Sequence, residues 1–251
     1  MNLVLLEAGE MGTDGNVRLS GPRAAHLLHV LNVVPEQRVR IGIVDGPKGS
    51  GTVVEIDQKS VTLRCEFDAT VPERPRVDLL LALPRPKVLR RLWAQLAAVG
   101  VGQIILTNAE KVERDYFGTH VVTPECYGPL LIEGLQQARD TRLPRVSIHR
   151  RFKVLIEDDL DGLFGDGIRL LADPTEARSP SATLSAGAAR GDRRVLLAVG
   201  PEGGWNTFER DLLSAHGFQG IGMGVRTLRT DTACIALLAL VHDALTSMPR
   251  P

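Results

Sequence analysis

No excess of charge marks this 251-residue chain: 30 Lys and Arg offset 30 Asp and Glu, so no global field advertises a polyanionic partner. Cysteine is scarce. Cys65, Cys126 and Cys234 are odd in number, widely spaced and outside any C-x-x-C pattern, which argues against a disulfide framework or a zinc site and for reduced thiols. The longest apolar run, Cys234 to Val241, is too short to span a bilayer, and no basic stretch precedes Leu3-Val4-Leu5-Leu6. A soluble, cytoplasmic protein with no membrane partner is expected. No internal repeat is present, and Glu157-Asp158-Asp159-Leu160-Asp161 lacks EF-hand spacing. In Asp45-Gly46-Pro47-Lys48-Gly49-Ser50-Gly51-Thr52 the lysine is not followed by Ser or Thr, so a hairpin turn explains the glycines better than a phosphate loop. His26 and His29 lie three apart on a helical pattern without a third ligand, and no metal is expected.

What is present is an ordinary globular composition, 43% hydrophobic and 24% charged. As far as about Thr70 the pattern is of short period-2 runs, at Leu3 to Leu6, Arg38 to Val44, Gly51 to Ile56 and Val61 to Phe67, with one helix opening near Ser20 and Pro22. That reads as a small β-barrel or sandwich. Val71-Pro72-Glu73-Arg74-Pro75 reads as a linker. Beyond it, apolar runs at Val77 to Leu83, Ile104 to Thr107, Ile168 to Ala172, Val195 to Val199 and Phe218 to Met223 alternate with helical patterns, the last from about Asp231 to Ser247. The expected organisation is a β-domain over 1–70, a linker over 71–76 and an α/β domain over 77–251 with a mostly parallel sheet covered on both faces.

Two glycine-punctuated loops follow buried-strand patterns: Gly200-Pro201-Glu202-Gly203-Gly204, and Met223-Gly224-Val225-Arg226-Thr227-Leu228-Arg229-Thr230. Ligands collect at the carboxyl ends of strands in such sheets, and glycines admit the backbone close to them. Asn206 and Glu209 fit a capping box, so a helix with free amides should open just after the first loop. The first loop is not G-x-G-x-x-G and comes late in the chain, which weighs against a dinucleotide-dependent dehydrogenase. Basic residues cluster locally at Arg85, Lys87, Arg90 and Arg91, and again from Arg139 and Arg142 through Arg145, Arg150, Arg151 and Lys153.

Together the first loop, Glu209, and the run Gly224-x-Arg226-x-Leu228-Arg229-Thr230-Asp231-Thr232-Ala233 resemble the signature of the uridine-N3 methyltransferases of small-subunit (16S) ribosomal RNA, a SPOUT-class family. Gln137 and Arg142-Leu143-Pro144 also fall where the family has a glutamine and a proline. The resemblance implies an N-terminal PUA-like β-barrel that binds RNA and a trefoil-knotted, mostly parallel α/β domain. It also implies S-adenosyl-L-methionine as methyl donor, ribosomal RNA or the small ribosomal subunit as partner, and a homodimer. Carried over position by position, the cofactor would be wrapped by Leu171, Gly200, Pro201, Glu202, Gly203, Gly204, Met223, Gly224, Arg226, Leu228 and Arg229. Arg229, Asp231 and Glu202 become the catalytic candidates, with helix capping and loop bracing as the other role open to Arg229 and Asp231. Arg85, Lys87, Arg90, Arg91, Arg139 and Arg142 become candidate RNA contacts.

Outside the loops the chain departs from the family. It has Asp231 where the family usually has Glu, and Asn32 where an Arg is common. Gln95 and Ala98 stand in place of Lys and Glu before Val99-Gly100-Val101, and Gln136-Gln137-Ala138-Arg139 in place of Glu-Gln with a more distant Arg. A SPOUT enzyme acting on another RNA site, or a non-catalytic RNA-binding scaffold, therefore stand as alternatives.

Overall fold

A computed structural model describes residues 2–186 and 193–247. The expected outer limits of the two domains, residues 1 and 251, lie outside the described residues. Two compact units are present, one comprising residues up to Arg74 with Leu131–Leu143, the other Pro75–Leu130 with Pro144 onward.

In the first unit β1 (Val4–Leu6), β2 (Asn16–Ser20), α1 (Gly21–His29), β3 (Arg38–Ile43), β4 (Lys48–Ile56) and β5 (Ser60–Phe67) follow one another. They form a five-stranded mixed sheet, curled as a half-barrel, in the order β1-β3-β4-β5-β2. Only the β1–β3 pairing is parallel. Alternation sets the inner face: Arg38 and Arg40 face out while Val39 and Ile41 join Leu6, Leu19, Leu27, Val53 and Leu63 in one core. Ser20, the last residue of β2, occupies the N-cap position of α1 as expected, though its side chain makes no capping hydrogen bond. Leu131–Leu143 is tied in by Asn2 N–H to the Gln136 carbonyl at 3.2 Å and by the Thr141 hydroxyl to the Gly46 carbonyl at 2.7 Å.

The second unit alternates strand and helix. Its elements are β6 (Val77–Ala82), α2 (Pro86–Val99), β7 (Val101–Thr107), the start of α3 (Pro124–Ala138, which from Leu131 belongs to the first unit), β8 (Arg145–His149), α4 (Phe152–Val154) and α5 (Leu160–Phe164), the last two joined by a π-helical turn. There follow β9 (Ile168–Ala172), α6 (Pro180–Ala186), β10 (Val195–Val199), α7 (Thr207–Ala215), β11 (Phe218–Ile221) and α8 (Thr230–Thr246). The six strands are all parallel, in the order β11-β9-β10-β6-β7-β8. Every residue of β6 and β10 is buried, as their near-continuous apolar sequences require of central strands. The one charge among them, Asp78, is fully buried and met by both Nε and Nη2 of Arg194. Helix α2 turns Leu89, Leu92, Trp93 and Leu96 inward, each leucine contributing about 1.5–3 kcal/mol of burial, and the Trp93 Nε1 is satisfied by the Val121 carbonyl at 3.0 Å. Among the described residues no helix is long and apolar enough to cross a membrane, and no group of His, Cys, Asp or Glu is arranged to hold a metal.

Candidate functional site

Strands β9, β10 and β11 are parallel neighbours, so their carboxyl ends open on one edge of the sheet and deliver three loops to one place. This is where ligands bind in open α/β sheets. A cavity of about 340 Å³ lies between the loops. Gly200, Pro201, Glu202, Gly203, Gly204, Met223, Gly224, Arg226 and Leu228 all line it. Leu171 and Arg229 do not. Leu171 is buried within β9 and its neighbour Ala172 reaches the cavity instead, while Arg229 is exposed just before α8, its carbonyl accepting the Ala233 amide at 2.8 Å.

Close backbone approach shapes the walls. A Cβ on Gly222 would stand 2.0 Å from the Glu176 carbonyl oxygen, because the chain after β9 crosses directly over the chain after β11. The Gly222 amide donates across this crossing to the Arg178 carbonyl at 2.9 Å. After the first loop, Asn206 and Glu209 exchange the capping-box hydrogen bonds expected of them, both at 2.8 Å, and α7 begins there. Glu209 is buried and its other oxygen accepts the Glu110 amide at 2.7 Å, so the same carboxylate ties α7 to the segment after β7. From that segment Lys111 Nζ donates to the Gly203 carbonyl at 2.6 Å.

Asp173, at the turn after β9, carries the most heavily bonded carboxylate of the cleft. Burial works to raise it, but hydrogen bonds from the Thr175 amide (2.8 Å) and hydroxyl (2.7 Å) and from Arg210 (3.3 Å) outweigh burial and hold it below the ordinary carboxylate range. Trp205 also lines the cavity, its ring stacked at a tilt on Phe152, and its Nε1 is buried without a partner among the described residues. A buried donor without a partner costs about 1–3 kcal/mol. With Val199, Met223, Leu228 and Leu237 as apolar walls, the cleft suits a ligand with a flat apolar body and polar edges.

The two carboxylates picked out for catalysis are each held by an arginine picked out for RNA: Glu202 by Arg85 at 2.8 Å and Asp231 by Arg91 at 2.9 Å. Asp231 sits in the first turn of α8, outside the cavity lining, and also accepts the Thr232 amide at 2.9 Å. Lys87 and Arg90, on the same helix as Arg91, are exposed and form no ion pair among the described residues. In the first unit Arg142 donates to the Asp45 carbonyl at 3.0 Å, and Arg139 lines a concave surface with Arg38, Arg40 and Lys48. Asp173, Thr175, Trp205, Arg210 and Lys111 were not among the expected site residues. The proline after Asp173 marks a strand end and Trp205 adjoins the glycine loop, so both carried a signal; Lys111, remote in sequence, carried none.

A family model described as an RNA methyltransferase domain matches residues 72–242. The ribosomal RNA small subunit methyltransferase E of Treponema pallidum is 32% identical, over 100% of this chain and 96% of its own length. A ribosomal RNA small subunit methyltransferase E 1 of Borreliella burgdorferi is 25% identical, over 99% of this chain and 100% of its own. The crystal structure of the Neisseria gonorrhoeae methyltransferase E, described as bound to S-adenosyl methionine, superposes with a TM-score of 0.74 at 19% identity, covering 97% of each chain. This likeness extends across both units of the fold.

Proposed function

The chain belongs to the SPOUT-class RNA methyltransferase family that contains the small-subunit ribosomal RNA methyltransferases E, and from that premise we propose that it methylates N3 of a uridine in 16S ribosomal RNA with S-adenosyl-L-methionine as donor. The observation that carries this reading is the cleft itself: three loops at one sheet edge around a cavity of about 340 Å³ walled by glycine backbone and apolar side chains. The residues present fit the cofactor. Glycine backbone from Gly200 to Gly204 and from Gly222 to Gly224 would read its polar edges, while Met223, Leu228 and Leu237 cover its apolar faces. When bound, the cofactor supplies a sulfonium-activated methyl carbon.

The chain's own part is to hold the acceptor nitrogen in line and manage its proton. Glu202 is the carboxylate on the cavity wall, and its pairing with Arg85 fixes its direction. We assign it the proton-accepting role, with Asp231 bracing the start of α8 through Arg91 and Arg229 offering positive charge to the uracil oxygens. Lys87, Arg90, Arg139 and Arg142 serve phosphate contact, and the half-barrel of the first unit serves RNA binding. A homodimer is read with the outer side of α8, which carries Leu240, as its contact, and the reduced cysteines suit the cytoplasm. A second reading, methylation at another RNA position, is favoured by one observation: Asn32, Gln95 and Ala98 replace charges common in the family.

Nucleoside mass spectrometry decides between them. Small-subunit RNA from cells lacking the endogenous enzyme, incubated with the protein and isotopically labelled S-adenosyl-L-methionine, is expected to yield labelled 3-methyluridine. Label in a different nucleoside selects the second reading, and no label at all removes both.

A further inference from the structure

Nothing in the sequence joins Lys111 to the glycine loop, yet the fold brings its side chain onto Gly203 in two ways. Its ammonium donates to the Gly203 carbonyl at 2.6 Å, and its stem lies where a Cβ on Gly203 would be, with Cδ 2.7 Å from that position. The adjoining Glu110 amide is bound by Glu209, whose second oxygen takes the Asn206 amide, so the segment after β7 grips both ends of the stretch from Gly203 to Asn206. Ala109 is buried beneath this grip and its carbonyl accepts the Val112 amide at 3.0 Å, which keeps the segment turned toward the loop. The loop is further held from outside by the Arg85–Glu202 ion pair at 2.8 Å and internally by the Gly204 amide on the Pro201 carbonyl at 2.8 Å. Such a loop loses conformational freedom when it closes on a ligand, and an outside fastening made beforehand reduces that loss.

We propose that Lys111 is a positioning residue that holds the Gly200–Gly204 loop in its cofactor-receptive shape before the cofactor arrives. This rests on the reading of the cleft as the S-adenosyl-L-methionine site. Lys111 acts through the Gly203 backbone, so its effect falls first on affinity for the cofactor. An exposed lysine at the rim of an RNA enzyme has an obvious other role, contact with a phosphate, and the two roles separate cleanly by which substrate loses affinity.

The test compares the wild-type protein with Lys111→Met, which keeps the stem and removes the donor, and Lys111→Arg, which restores a donor. Hydrogen exchange of the Glu202 to Trp205 amides is followed without cofactor, S-adenosyl-L-methionine binding is measured by calorimetry, and KM for both substrates and kcat are determined. Circular dichroism melts verify that each variant is folded. Lys111→Met should exchange faster in this loop and bind the cofactor about tenfold more weakly, as loss of one charge-assisted hydrogen bond entails. Its KM for RNA should be unchanged, and Lys111→Arg should recover most of the affinity. Unchanged exchange and cofactor affinity in Lys111→Met overturn the assignment, as does a rise confined to KM for RNA. Failure of the wild-type protein to bind the cofactor overturns the reading of the cleft, and this assignment with it.

Discussion

Gly222 and Gly224 stand two positions apart on one loop and are required for opposite reasons. At Gly222 the obstacle is another stretch of backbone, with the Glu176 carbonyl 2.0 Å from where a Cβ would sit. At Gly224 the space is open but φ is +110°, a conformation that side chains oppose. Gly222→Ala must force two crossing chains apart and should cost toward the upper end of the ~1–3 kcal/mol typical of overpacking. Gly224→Ala meets only backbone strain, about 1–2 kcal/mol. Thermal unfolding should therefore show a clearly larger drop for Gly222→Ala, and the reverse ranking would mean that the crossing yields more easily than the loop. Gly224 was plain in the sequence, because a glycine loop after an apolar run is a local pattern, whereas Gly222 was read into the strand Phe218 to Met223, which in the structure ends at Ile221. The reasons for the glycines were not plain, since Glu176 and Lys111 approach through the fold and leave no trace in spacing.

Among the elements, the turn after β9 is where pH should be felt. The Asp173 carboxyl is held below its ordinary value of 3.8: burial opposes this, and the Thr175 and Arg210 hydrogen bonds prevail. A carboxylate with a depressed folded pKa stabilises the protein fully above the unfolded value, about 3.9, and that stabilisation is lost as pH falls through the folded one. Asp173→Asn is accordingly expected to lower the melting temperature by the same amount at pH 6 and pH 8, with the difference shrinking as pH drops below about 4. A difference that grew toward acid would contradict the sign of the shift. Element by element, legibility followed burial. Strands β6 and β10 are apolar throughout because both faces are covered, and the Asn206–Glu209 box announced α7. Strand β8 escaped notice as the last strand of the sheet, with Arg145 and Ile148 exposed in a segment that reads as a charged surface. Strand β2 was hidden behind the turn residues that precede it, and although Ser20 was legible as the N-cap of α1, its also ending a strand was not.

For the molecule as a whole, α8 is the element whose two sides point to different duties. Cys234, Leu237, Leu238 and Val241 are buried in the core, and burial pushes the Cys234 thiol up to about 12. Leu240 faces outward. If that side pairs two copies, Leu240→Glu should convert the sedimenting species from dimer to monomer with the circular dichroism spectrum preserved, since a charge buried in an interface costs far more than one in water. A dimer that persists unchanged would place the contact elsewhere. Strand order and the joining of Leu131–Leu143 to the first unit were also beyond sequence reading, because pairings between distant segments depend on the whole fold and not on any window of residues.

The position of β10 has a further consequence during synthesis. β10 fits between β9 and β6, and β6 is made more than a hundred residues earlier. Until Val195–Val199 leaves the ribosome, the apolar β6 has a partner only in β7, and its other edge is an open template for any neighbouring strand. A chain interrupted before that point would carry the N-terminal half-barrel and the basic start of α2, but no closed sheet and no lining for the cleft beyond the turn at Asp173. Such fragments pair with whatever edge they meet, so chaperone dependence and aggregation should concentrate on the nascent chain and not on the finished protein. When β10 docks, one event supplies both the first glycine loop of the cleft and the cover for that edge.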